Sequence, residues 1–155
     1  MTALIEATDA HFAWMLGEAP APDGLVLPPG GIDELWVYKW LRGSLATLGP
    51  ATSWLMAADG EVVGLCSFKT AQDADGFAEI GYGVAPERRR LGHATRGVAL
   101  LVEAASRQPS VRGLTAATAL ANEPSQRVLE ANGFSQNGRA VDSDEGEMIL
   151  WRRAV

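Results

Sequence analysis

The densest run of chemically capable residues is Glu79-Ile-Gly-Tyr-Gly-Val-Ala-Pro-Glu-Arg-Arg-Arg-Leu-Gly-His-Ala-Thr95. It carries one carboxylate among small residues, then Arg88, Arg89 and Arg90, then Gly92, His93, Ala94 and Thr95. The last residues open a long apolar-periodic segment that reads as a helix. A helix start leaves main-chain N–H groups unpaired and holds partial positive charge, so it suits an anion. Gly92 lets the main chain approach that anion, Ala94 keeps the next turn uncrowded, and the arginines add charge. The chemistry implied is phosphate or pyrophosphate binding. These residues alone do not distinguish one nucleotide cofactor from another.

The elements that must position this run can be read from periodicity. Phe77–Val84 alternates as a strand, with Ala78, Ile80, Tyr82 and Val84 on one face. Phe77, Glu79, Gly81 and Gly83 share the other, so Glu79 lies on a face emptied by two glycines. Leu91 to Arg107 reads as the strongest helix, with a stripe of Leu91, Ala94, Val98, Leu101, Val102 and Ala105. Val111–Ala119 follows as a strand. Asn122 then caps a short helix to Ala131, stopped by Asn132-Gly133.

Upstream, a short strand covers 2–7 and Asp9 caps a helix carrying Phe12 and Leu16. A Pro/Gly-rich loop fills 17–31. A helix from Asp33 ends near Gly43 and carries Trp36 and Trp40, read as core packing. Ser53–Ala57 and Val62–Phe68 form a hairpin about Asp59-Gly60. Downstream, a strand from Phe134 and another over Glu147–Arg153 flank a polar turn. The order is β-α-α-β-β-β-α-β-α-β-β. The strand–helix–strand unit predicts one parallel pair in an otherwise mostly antiparallel sheet, an α/β fold with helices on both faces.

Composition removes other classes. The 155 residues suit a single domain, 1–155, with a real core. The lone Cys66 forms no internal disulfide and reads as a buried structural thiol. One cysteine and two distant histidines, His11 and His93, give a metal site little support. Net charge is −6, which argues against a dedicated nucleic-acid binder. No stretch approaches a membrane span, and no secretory signal is visible, so a cytoplasmic setting is expected.

Two motifs in order carry a resemblance. Arg89-Arg90-Leu91-Gly92-His93-Ala94 fits the Arg/Gln-x-x-Gly-x-Gly/Ala signature of the GNAT superfamily of N-acetyltransferases. Asn122-Glu-Pro-Ser125 … Gly133-Phe134 resembles the superfamily's Asn-x-x-Ser/Ala … Gly-Phe motif. Together, over 77–134, they are most similar to the branch containing the ribosomal-protein-alanine N-acetyltransferases. The resemblance implies acetyl-CoA as co-substrate, with its pyrophosphate on the main chain of Arg89–Thr95. It implies a splayed fourth and fifth strand, and a main-chain N–H near Gly83 or Val84 that polarises the thioester carbonyl. It implies a primary amine acceptor, a peptide N-terminus or a small amine, and Glu79 as the base that takes the amine's proton. Relatives often carry a tyrosine acid where this chain has Leu129. Ser125 is the expected substitute, with Asn122 on the cofactor arm or an ordered water. The missing tyrosine also leaves a silent acyl-CoA sensor as an alternative. In relatives the first helices line the acceptor groove, which would make Trp36 and Trp40 an acceptor wall, and members often form homodimers.

Overall fold

The computed structural model describes residues 1–155. The chain runs β1 (Ala3–Glu6), α1 (Asp9–Met15), α2 (Leu35–Leu48), β2 (Ser53–Ala58), β3 (Glu61–Phe68) and β4 (Phe77–Val84). It continues α3 (His93–Ser106), β5 (Gly113–Ala119), α4 (Glu123–Ala131), β6 (Ser135–Asp142) and β7 (Gly146–Ala154). One seven-stranded sheet results, in the order β1-β2-β3-β4-β5-β7-β6. Every pairing is antiparallel except β4 with β5. The expected mixed α/β class and element order hold.

The parallel pair is short. Phe77, Ala78 and Glu79 register with Gly113, Leu114 and Thr115, and pairing then stops. Gly113 permits this close start, since a Cβ there would lie 2.0 Å from the Phe77 ring. Beyond it β4 continues on β3 as far as Val84, while β5 continues on β7 as far as Ala119. The strands therefore splay, and the far half of β4 has one edge without a neighbour.

Each face of the sheet is covered. Ala78, Ile80 and Val84 join the larger core with Val98, Leu101 and Ala105 of α3 and Leu129 of α4. Phe12, Tyr38, Leu41 and Leu65 centre a second core on the side of α1 and α2. The Asp59-Gly60 hairpin forms as expected, with φ of 52° and 80°, the left-handed pair that matches strand twist. No helix is long and apolar enough to cross a membrane.

Most boundaries shift by one or two residues from the sequence reading, and three of the differences have a clear local cause. Thr8, not Asp9, is the N-cap of α1, and Asp9 is its first residue. α2 runs through Gly43 to Leu48 and stops at Gly49, where φ is 89°. A helical glycine costs only about 1 kcal/mol, and the apolar spacing Leu41, Leu45, Leu48 carries the helix past it. Leu91 lies before α3 and is 66% exposed, because Gly92 takes up a left-handed conformation and the helix starts only at His93. Gly97 takes a place in the buried face of α3, and Met56 fills the space its side chain would need.

Candidate active site

A cavity of about 560 Å³ opens between the end of β4, the loop before α3, and the start of α4. Gly83 and Val84 form one side. Arg89, Arg90, Gly92, His93, Ala94 and Thr95 form the second, and Asn122 and Ser125 the third. The residues expected to hold a cofactor are thus brought together, with Ser125 among them.

The loop's shape explains its chemistry. Arg90 and Gly92 both have left-handed φ, 65° and 82°. Alternation of this kind turns successive N–H groups inward into an anion-binding nest. The main-chain N–H groups from Arg89 through Thr95 have no acceptor within the protein. That is the donor set a pyrophosphate needs, so the residues fit the group that the sequence motif implies.

The arginines divide their work. Arg88 makes a two-point ion pair with Glu61 at 2.6 and 3.1 Å, clamping the loop to the β2–β3 hairpin. Its charge is thereby paired with Glu61. Arg89 Nε donates to the Val84 carbonyl at 3.2 Å and fixes the end of β4. Arg90 makes no side-chain hydrogen bond within the protein. His93 Nδ1 and the Thr2 hydroxyl lie 2.8 Å apart, which ties the loop to the N-terminal segment.

Ladder parity identifies which main-chain donors of β4 are available. Ala85 donates to Val63 at 2.8 Å, and Lys69 donates to Glu79 at 2.6 Å. Hydrogen-bonded pairs recur at every second residue, so Gly83 faces Leu65 in the ladder. The N–H groups of Tyr82 and Val84 then point to the other edge, the one β5 has left. Of Gly83 and Val84, only Val84 directs its main-chain N–H to that open edge.

Tyr82 was not expected here. Its hydroxyl lies 2.7 Å from Ser125 Oγ and donates to the Ser125 carbonyl at 3.1 Å. It reaches from β4 across the gap to α4. Asn122 caps α4 by accepting the Ser125 N–H at 3.3 Å, which sets the serine's orientation. Burial pushes the Tyr82 phenol above its usual pKa, and the Ser125 bond opposes this in part. Leu129, at the position of the relatives' tyrosine, is fully buried in the larger core. The signal for Tyr82 was visible: it is the one polar tip on the aliphatic face of its strand.

A second cavity, of about 370 Å³, meets the first at Tyr82 and Gly83. It lies on the α2 side of the sheet. Leu65, Cys66, Ser67, Gly81 and Gly83 form its floor, and Trp36, Val37, Trp40 and Leu41 its wall. Trp36 and Trp40 are 63% and 45% exposed, so they are not the core pair expected from their spacing. Cys66 is buried, and burial pushes its thiol up to about 12, as an inert structural thiol requires.

Asp33 and Lys69 are the charged residues of this lining. Glu79 is not in the lining of either cavity. It stands on the same strand face as Gly81, with its carboxylate 3.4 Å from the Lys69 ammonium. The Lys69 charge is also felt at the β6–β7 turn. There the N–H groups of Glu145 and Asp144 hold the Asp142 carboxyl below its usual pKa, and the Lys69 charge contributes.

Solved structures share this architecture. The aminoglycoside acetyltransferase AAC(6')-Ib in complex with coenzyme A superposes with a TM-score of 0.73 at 18% identity, over 99% of this chain and 95% of that one. RimL, a ribosomal L7/L12 alpha-N-protein acetyltransferase, also in complex with coenzyme A, gives 0.73 at 18% identity, over 99% and 94%. At such identity the likeness is one of fold. No curated protein sequence matches the chain. The description "Acetyltransferase (GNAT) domain" matches residues 8–135, which span the loop of unpaired N–H groups, the splayed strands and the Tyr82–Ser125 contact, and the chain therefore belongs to the GNAT acetyltransferase family.

Proposed function

We propose that the protein is an acetyl-CoA-dependent N-acetyltransferase that passes acetyl directly to a primary amine within a ternary complex. One observation carries this: two cavities, one built for an anion and one largely apolar, meet at the free edge of β4. Direct transfer needs both substrates side by side, and that junction supplies the place. The coenzyme A and acetyl-CoA complexes of the structural neighbours support the same co-substrate.

Bound acetyl-CoA supplies an activated acetyl group on a thiol leaving group. The main chain of Arg89–Thr95 holds its pyrophosphate, with Arg90 adding charge. The Val84 N–H stands where charge develops on the carbonyl oxygen. A protonated amine cannot attack, so Glu79 accepts its proton; from its place outside the cavity lining it does so through water. Ser125 and Tyr82 meet the departing sulfur. A phenol near pKa 10 holds its proton more tightly than a thiol near 8.5, and burial tightens Tyr82 further. The pair therefore stabilises the thiolate as a hydrogen-bond donor and is not a strong acid.

Calorimetry with acetyl-CoA tests the reading. Saturable binding is expected, and absence of binding at high micromolar concentration sinks it. Glu79→Gln should lower kcat about 10²-fold and leave the affinity for acetyl-CoA nearly unchanged. Equal losses in both would remove Glu79 as the base.

A further inference from the structure

The second cavity constrains the amine. Its wall presents Trp36 and Trp40, one helical turn apart on the exposed face of α2. Its floor beneath them is the main chain of Gly81 and Gly83. A side chain at Gly83 would meet nothing within 4 Å, and one at Gly81 would meet only the Lys69 stem. Two exposed indoles and a strand face without side chains at Gly81 and Gly83 thus line the same cavity.

Polar groups in the slot are few. The Trp36 indole N–H already donates to Glu34 at 2.9 Å, so that donor is taken. The Lys69 charge is paired with Glu79. Asp33 is the carboxylate of the lining, and its Oδ1 also accepts the Glu34 N–H at 2.8 Å. A polyhydroxylated polycation would bring many donors and several positive charges into a lining with one carboxylate, Asp33, and the positive charge of Lys69. A peptide main chain would lose its amide hydrogen bonds in the same way. Each polar group buried without a partner costs about 1–3 kcal/mol. An apolar ring costs nothing of this kind and gains from stacking on the indoles.

We propose, resting on the acetyl-transfer reading above, that the acceptor is a small primary amine with a flat aromatic body, an arylalkylamine, held between Trp36/Trp40 and the glycine floor of β4. About 370 Å³ sits at the small-ligand end of binding cavities, which run to roughly 1,000 Å³. The amine points toward the junction at Tyr82 and Gly83. Its nitrogen forms the new bond to the acetyl carbon as the carbon–sulfur bond breaks, and the proton it sheds goes to base.

The test has two parts. In the first, thiol release from acetyl-CoA is measured with 2-phenylethylamine, propylamine, kanamycin and an alanine-first peptide. The kcat/KM for 2-phenylethylamine should lead each of the others by about tenfold or more. Trp36→Ala and Trp40→Ala should each raise its KM by roughly 5- to 10-fold, several times more than they raise that of propylamine. Trp36→Phe and Trp40→Phe should recover most of the loss. A lead for kanamycin or the peptide overturns the proposal, as does an equal effect of the Ala variants on propylamine.

The second part is saturation-transfer NMR of 2-phenylethylamine on the protein loaded with coenzyme A, where no transfer can occur. Binding that Trp36→Ala weakens supports the slot even if no amine releases thiol, in which case the transfer reading alone fails. Thiol release with other amines, together with no binding of 2-phenylethylamine, overturns the slot and leaves transfer standing.

Discussion

Ser125 and Tyr82 share a hydrogen-bonded contact at 2.7 Å, and the Tyr82 hydroxyl also reaches the Ser125 carbonyl at 3.1 Å, so the two hydroxyls sit in one small network. Each should contribute about one charge-assisted hydrogen bond to the departing sulfur, roughly 1.5 kcal/mol or about tenfold in rate. Ser125→Ala and Tyr82→Phe are therefore expected to lower kcat by about tenfold each. Groups acting as a unit are not additive, so the double variant should be little worse than the poorer single one. Multiplied losses in the double variant would show two independent roles. Ser125 was legible from its motif, because a serine three residues after an N-cap asparagine faces the opening of the helix. Tyr82 was not, because strand alternation assigns a face but does not say that a neighbouring strand has departed. Its partner lies 43 positions away, and only the splay brings the two within reach. Trp36 and Trp40 were misread for a related reason: an i, i+4 spacing marks one face of a helix but not what covers it.

The elements were legible where local chemistry fixes them. The Asp59-Gly60 turn, the alternation of β4 and the Asn122 cap each depend on a few adjacent residues. Ends decided by competition were harder, as with α2, where Gly43 gives way to the leucines beyond it. The start of α1 was misassigned because His11 completes its cap in place of the usual Glu or Gln. His11 Nδ1 accepts the Thr8 N–H at 3.0 Å, the return bond of a capping box. That bond requires an unprotonated Nδ1. Burial lowers the His11 pKa, with the charge of Asp23 opposing. An unfolded histidine takes up its proton below about pH 6.5. The folded one resists to lower pH, so the unfolded state binds more protons in that window and stability falls as pH falls. Stability from this group is complete above pH 6.5 and is lost on acidification. If the cap's roughly 1 kcal/mol is lost, the Tm of the wild type should fall about 2–4 °C between pH 7 and 5. His11→Gln keeps an acceptor at the same position and does not titrate. Its Tm should stay level over that interval, and an unchanged slope would refute the assignment.

At the scale of the molecule, the sheet is two antiparallel blocks, β1–β4 and β5–β7, joined in register at only Phe77, Ala78 and Glu79. The anion-binding cavity straddles that seam. Gly83, Val84 and the Arg89–Thr95 loop come from one side, and Asn122 and Ser125 from α4 on the other. The net charge of −6 tells little about this place, because its lining gathers unpaired main-chain N–H groups and the Arg88–Arg90 run in one spot. A ligand in the cavity replaces strand pairing that the seam lacks, and so it should stiffen both blocks. At 100 times its Kd, a ligand that binds only the folded chain adds about 2.7 kcal/mol. For a chain of this size that corresponds to a rise in Tm of roughly 5–10 °C. Hydrogen exchange should slow on acetyl-CoA binding at the Arg89–Thr95 amides and at the Tyr82 and Val84 amides. It should also slow at the start of α4, where the Ser125 N–H now bonds only to Asn122 at 3.3 Å. A rise in Tm with protection confined to the loop before α3 would mean that the ligand grips the phosphate end alone. In that case the seam is closed by something other than the co-substrate.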